Sequence, residues 1–331
     1  MRTIDWVDGA IELIDQTALP ERVEVLRITT IDALIDAIAR LAVRGAPALG
    51  VAGALGVALL AQEEPDPARL RLAAAGLRAA RPTAVNLGWG VDRALARAVD
   101  GPAAVLAEAL AVIDEDVAAC TAMGRRGADL LTDLVGDRPL SVLTICNTGG
   151  LCAVERGTAL GVVQTLHERG RLRRALVAET RPLLQGARLT AWELGRMGAR
   201  YDVVVDSAAS FLLSSGEAEL VLIGADRIAA NGDTANKVGS LSLALGAAHA
   251  GVPFVVVAPE ATIDHTTPDG SAIEIEDRGA AEVVEFGGRL IAPAGATAIN
   301  PAFDITPRAL ITALVTERRV VELAAGEALA G

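Results

Sequence analysis

The chain has 331 residues, 52% of them hydrophobic and only 2% aromatic, with a formal net charge of −12. That length and apolar content allow one large or two moderate domains with a sizeable core. The acidic balance, with no basic run beyond the cluster Arg169 to Arg174, argues against nucleic acid as a partner, and so few aromatics leave little to stack nucleobases.

The N-terminus, MRTIDWVDGAIELIDQ, carries acids where a signal peptide needs a basic and then an apolar segment. No apolar run is read as reaching the uninterrupted ~18 residues of a membrane span. Cys120, Cys146 and Cys152 lack metal-cluster spacing and read as reduced thiols. The expectation is a soluble cytoplasmic protein without membrane, metal or cofactor.

In chain order, Ala10 to Ile14 and Val23 to Ile28 have strand character around a Pro20-containing turn, which predicts a hairpin or small meander. A helix follows Thr30, with Ile31, Leu34, Ile35, Ile38 and Leu41 at helical spacing. Arg44, Gly45, Ala46 and Pro47 then separate it from an almost wholly apolar, buried helix. Such a junction suits either a phosphate cradle of backbone amides beside an arginine or a tight helix-helix turn. Residues 68–80 and 90–135 read as helices, joined by a break holding Arg81, Pro82, Asn86 and Trp89. Arg81 at this break can reach a ligand or cap helix carbonyls. A boundary near Gly136 to Pro139 gives a mainly helical domain, residues 1–136, with a small β meander.

From residue 137 to 331 strands and helices alternate: strand Ser141 to Ile145, a glycine turn at Thr148 to Gly150, helix Ala153 to Arg169, and strands Ala175 to Ala178, Tyr201 to Val205, Leu220 to Ile223 and Phe254 to Val257. This predicts an α/β domain, a Rossmann-like doubly wound parallel sheet with helices on both faces. No GxGxxG follows its first strand, so a dinucleotide has no specific support. Leu220 to Pro259 reads as one βαβ unit whose polar loop carries Asp226, Asn236 and Lys237, the only lysine in the chain. Ligands of such sheets bind at the carboxyl ends of the strands.

Three strand ends therefore bring polar groups to one rim: Cys146 with Asn147, Thr148, Gly149 and Gly150; Glu179, Thr180, Arg181 and Gln185; and Asp226, Asn236 and Lys237. Cys146, beside backbone amides, suits a stabilised thiolate, with a buried inert thiol as the plainer alternative. His167, His249 and His265 lie in helix or far-loop contexts, which favours a thiol acting with a carboxylate over a Cys-His pair. The apolar approach Ile223, Gly224, Ala225 suits a protonated Asp226 acting as an acid; a turn or capping carboxylate is the alternative.

The motifs VRGAPALG, NTGGLCAVERGTALGVV, ETRPLLQGARLTAWEL, GADRIAANGDTANKVGS and NPAFDITP resemble those of the 5-methylthioribose-1-phosphate isomerase family. That family groups with alpha-type regulatory subunits of a translation-initiation exchange factor and with ribose-1,5-bisphosphate isomerases. The resemblance runs from about Trp6 to Pro307. It implies that Cys146 and Asp226 are the catalytic pair, that Arg44, Gly45, Ala46, Arg81, Gln185, Asn236 and Lys237 hold a sugar phosphate, and that the protein is a homodimer. Two positions depart from the family pattern: Ile145 stands where a histidine commonly precedes the cysteine, and Arg156 where an aromatic is frequent.

A sugar phosphorylated at its anomeric carbon must open its ring before it isomerises. The implied activity is conversion of 5-methylthioribose 1-phosphate to 5-methylthioribulose 1-phosphate in methionine salvage, by an enol route or by hydride transfer from C2 to C1. Isomerisation of 5-deoxyribose 1-phosphate or ribose 1,5-bisphosphate, and a non-catalytic subunit binding a sugar phosphate or nucleotide, are the alternatives.

Overall fold

In the computed structural model, which describes residues 2–81 and 84–329, the chain opens with an antiparallel meander of β1 (Ile4–Val7), β2 (Ala10–Ile14) and β3 (Val25–Ile28). Asp8 and Gly9, with φ of 45° and 78°, make the two-residue turn between β1 and β2 that matches strand twist. Thr30 caps α1 (Ile31–Ala39), its Oγ1 accepting from the Ala33 amide at 3.4 Å.

Next come α2 (Ala46–Glu63), α3 (Pro67–Ala79), α4 (Val85–Leu95) and α5 (Pro102–Val135). Pro82, read as part of the break before α4, lies outside the described residues. α2 is buried along most of its length because its small and aliphatic side chains leave no polar face. A Cβ on Gly90 of α4 would stand 1.9 Å from the carbonyl oxygen of Gly50, so the two helices cross backbone to backbone. One expectation is corrected here: with 18 residues, α2 does have the length and composition of a membrane span, and 72% of it is buried within the protein. α5 serves two cores, Val105, Ala109 and Val112 packing with α2 while Cys120, Met123 and Leu131 pack beneath the main sheet.

That sheet is built from β4 (Leu140–Thr144), α6 (Ala159–Glu168), β5 (Leu172–Ala178), α7 (Ala191–Met197), β6 (Tyr201–Val204), α8 (Ala209–Ser214) and β7 (Leu220–Ile223). After β8 (Arg227–Ala229) and β9 (Thr234–Lys237) the chain returns through α9 (Ser240–Ala250) to β10 (Phe254–Val257). It continues through β11 (Ile263–Asp264), α10 (Ala281–Val284), β12 (Glu285–Phe286), β13 (Arg289–Leu290), β14 (Phe303–Thr306), β15 (Ala313–Val315) and β16 (Val320–Val321). The strand order is β16-β15-β10-β7-β4-β5-β6, parallel except at β16. This is the predicted doubly wound, Rossmann-like sheet preceded by a helical region and meander. Strand order reverses between β4 and β7, where such sheets leave a crevice.

Three local readings differ from the structure. Residues 90–135, expected as one helix after a break holding Asn86 and Trp89, form α4, which contains both of those residues, and α5, because Gly101 (φ 91°) turns the chain and Pro102 opens the second helix. The helix expected from Ala153 begins at Ala159, because Gly157 (φ 79°) folds the chain against Thr148 and Gly149 so tightly that a Cβ there would lie 2.2 Å from the Thr148 carbonyl oxygen. The polar loop expected between Asp226 and Lys237 is a hairpin, β8 to β9, inside a second sheet of order β11-β8-β9-β14. Its turn is set by Gly232 (φ 98°) and by Asp233, whose carboxylate accepts from the backbone amides of Gly270 and Arg308.

Candidate active site

Cys146 and Asp226 follow the ends of β4 and β7, on the two sides of the order reversal, and border one cleft. Cys146 has φ 64°, a left-handed backbone that costs a non-glycine residue about 1–2 kcal/mol. The surroundings impose it: its amide donates to Thr180 Oγ1 at 2.9 Å, and its carbonyl oxygen accepts from Thr190 Oγ1 at 2.6 Å. Leu41, at the same rim, Leu184, between the lining residues Leu183 and Gln185, and Thr180 are also left-handed, with φ of 65°, 57° and 68°. Strained non-glycine backbone is thereby concentrated around this cleft.

The Asp226 amide donates to the Ala235 carbonyl oxygen at 2.9 Å, so β9 folds back alongside it and delivers Asn236 and Lys237. β14 closes the other side of β9, pairing Phe303 with Lys237. The Lys237 Nζ donates to the Ala302 carbonyl oxygen at 2.8 Å and lies 5.0 Å from the centre of the Phe303 ring. Asn236 donates to Ser240 Oγ at 2.8 Å, which fixes its amide at the start of α9.

The helical region supplies the remaining wall. Gly45 (φ 94°) starts α2 and leaves no room for a side chain, since a Cβ would lie 2.4 Å from Cys152 Cβ. Ala46 lines the wall beside it. Arg44 donates to the Asn147 carbonyl oxygen at 3.0 Å, and its Nη2 lies 3.8 Å from Cys146 Sγ. Arg81 borders the cleft 4.0 Å from Glu276. Gln185 is buried at the rim, and its Oε1 has no protein hydrogen-bond partner among the described residues. The structure thus brings all nine residues singled out in the sequence to one place.

Charge is unevenly distributed there. Arg44, Arg81, Lys237 and Arg278 face Asp226, an arrangement suited to a phosphate dianion. Burial pushes the Asp226 carboxyl above its ordinary range, against the pull of Lys237, Arg81 and Arg44, which favours the protonated acid. Burial also lowers Lys237 and Arg81, while Asp226 pulls both the other way.

Sequence reasoning missed Arg278, Phe303 and Leu183 as lining residues and Glu193 as a buried partner of Asn147. Arg278 lies in a stretch without apolar periodicity, and Glu193 reads as an ordinary helix residue. The two departures sit elsewhere: Ile145 packs in the core, where a Cβ on Gly239 would meet it at 2.8 Å, and Arg156 pairs with Glu168 at 2.7 Å.

Comparison with known proteins places this geometry in a family. The Initiation factor 2 subunit family matches residues 42–322. A protein of Anaeromyxobacter sp. (strain Fw109-5), named methylthioribose-1-phosphate isomerase, is 51% identical over 97% of this chain and 94% of its own length. A protein of Moorella thermoacetica, named 5-deoxyribose 1-phosphate isomerase, is 46% identical over 96% of this chain and 93% of its own. The chain spans 60% of a Nocardia farcinica relative, 49% identical and named as a probable bifunctional methylthioribose-1-phosphate isomerase and methylthioribulose-1-phosphate dehydratase. Among solved structures, the 5-methylthioribose 1-phosphate isomerase of Pyrococcus horikoshii superposes with a TM-score of 0.88 at 37% identity, covering 97% of this chain and 92% of that one. The chain belongs to the Initiation factor 2 subunit family, and within it groups with the methylthioribose-1-phosphate isomerases.

Proposed function

We propose that this protein is an aldose-ketose isomerase that converts 5-methylthioribose 1-phosphate to 5-methylthioribulose 1-phosphate in methionine salvage. The observation that carries the reading is the joint placement of Cys146 and Asp226 in a cationic cleft at the order reversal of the sheet. Arg44, Arg81, Lys237 and the amides at Gly45 and Ala46 hold the phosphate on C1. Asp226, its carboxyl raised by burial, gives its proton to the ring oxygen and opens the ring. Cys146 then removes the C2 proton, and the enol phosphate takes a proton at C1 as the C2 hydroxyl becomes the ketone. In the alternative route hydride passes from C2 to C1, and the pair handles the hydroxyl proton only.

The test is an NMR assay of aldose 1-phosphates bearing methylthio, hydrogen, hydroxyl or phosphate at C5. Fastest turnover of the methylthio sugar is expected; fastest turnover of the hydrogen sugar makes the protein a 5-deoxyribose 1-phosphate isomerase, as the Moorella relative is named. Deuterium placed at C2 and retained at C1 in ordinary water identifies hydride transfer, and its loss identifies the enol. Cys146→Ser and Asp226→Asn should each abolish turnover with an unchanged circular dichroism spectrum; full activity in either refutes the catalytic pair. The reading includes a cytoplasmic homodimer. Exposed Val203, Val205 and Phe211 near the free β6 edge support it, and sedimentation tests it.

A further inference from the structure

In the structure a carboxyl group of the protein itself occupies the glycine turn after β4. Glu193, on α7 and 8% exposed, accepts from the Asn147 side-chain amide at 2.6 Å and from the backbone amides of Gly150 and Leu151. The turn is moulded around this carboxylate: a Cβ on Gly149 would stand 2.3 Å from Glu193 Oε1, and one on Gly150 would stand 3.3 Å from Oε2.

Asn147 carries the contact onward. With its Nδ2 committed to Glu193, its Oδ1 faces Arg44 Nη1 at 3.4 Å, and its carbonyl oxygen accepts from Arg44 Nη2 at 3.0 Å. That guanidinium is the group 3.8 Å from Cys146 Sγ. Thr190, one turn before Glu193, holds the Cys146 carbonyl oxygen and is itself within 3.3 Å of Asn147 Nδ2.

Resting on the isomerase reading, we propose that Glu193 is a positioning residue: its carboxylate fixes the turn after β4 and, through Asn147, seats Arg44 against the Cys146 thiol. All three of its partners are donors, so the arrangement is complementary to the ionised form and loses an acceptor when Glu193 takes a proton. Burial raises this carboxyl to about 7, opposed by the three donated bonds and by Arg44. Besides Arg44, Cys152, two residues past the glycine turn, is a titratable group facing it. Activity should therefore fall as the pH drops through about 7.

Glu193→Gln preserves size but turns an NH2 towards a donor. Its kcat should fall about tenfold or more, and the acid limb near neutrality should vanish from its pH profile. If the effect travels through Asn147, the double variant Glu193→Gln with Asn147→Ala is no slower than Glu193→Gln alone; fully additive losses overturn the proposal. Alkylation of Cys146 by iodoacetamide, read on its peptide by mass spectrometry, needs no turnover and separates this inference from the isomerase reading. It should slow about tenfold in Glu193→Gln and lose its pH dependence near neutrality, whatever the substrate panel shows. Wild-type labelling in Glu193→Gln overturns the proposal, and if that variant does not fold, wild-type labelling in Asn147→Ala does so.

Discussion

At the scale of the residue, Lys237 illustrates how the cleft sets its own protonation. Burial lowers its ammonium below the ordinary 10.5, with Cys146 and Asp226 pulling back. Between that lowered value and 10.5 the unfolded chain holds a proton there that the folded chain has begun to release. Stability from this group therefore rises with pH across that window. The melting temperature of the wild type minus that of Lys237→Met should accordingly increase as pH is raised towards 10.5, and a flat difference would show that burial does not perturb this amine. Cys146 and Asp226 were legible in the sequence because each stands just beyond a strand whose apolar run is unmistakable, and Lys237 because it is the one lysine in the chain. Glu193 was not: a carboxylate on a short helix carries no sign that it turns inward, and only the fold shows which glycines it displaces.

At the scale of the element, the α2–α4 crossing and the two-sheet construction around β9 decide where the cleft walls stand. Because a Cβ at Gly90 would sit 1.9 Å from a backbone oxygen of α2, Gly90→Ala must push the helices apart. That change should cost about 3 kcal/mol, read as a lowered denaturant midpoint with m unchanged. Activity should suffer too, since α2 begins at Gly45 against Cys152. The main strands follow from period and length, and the sequence locates them to within a few residues, whereas Gly101 parts α4 from α5 and Gly157 delays the start of α6. The hairpin of β8 and β9 was hidden because Asp226 to Lys237 is mostly polar with only scattered apolar positions, and its partners β11 and β14 lie far along the chain in segments of two and four residues. Non-local pairing of short polar strands leaves no periodic trace.

At the scale of the whole molecule, one helix of 34 residues lends apolar side chains to both the helical core and the core beneath the sheet. Loosening either core removes packing from the other, so calorimetry should show a single unfolding transition; two resolved peaks would mean that α5 does not couple them. Charge is partitioned on the same scale, with a net −12 over the whole chain and four cationic side chains at one cleft. That partition has a practical consequence for the solitary lysine. Arginine serves everywhere else, so the only ε-amine of the protein lies in the cleft and is 9% exposed. Amine-directed reagents find just one side chain to modify, and a sample grown on lysine labelled with nitrogen-15 gives a side-chain spectrum of one line, a spectroscopic window onto the cleft alone.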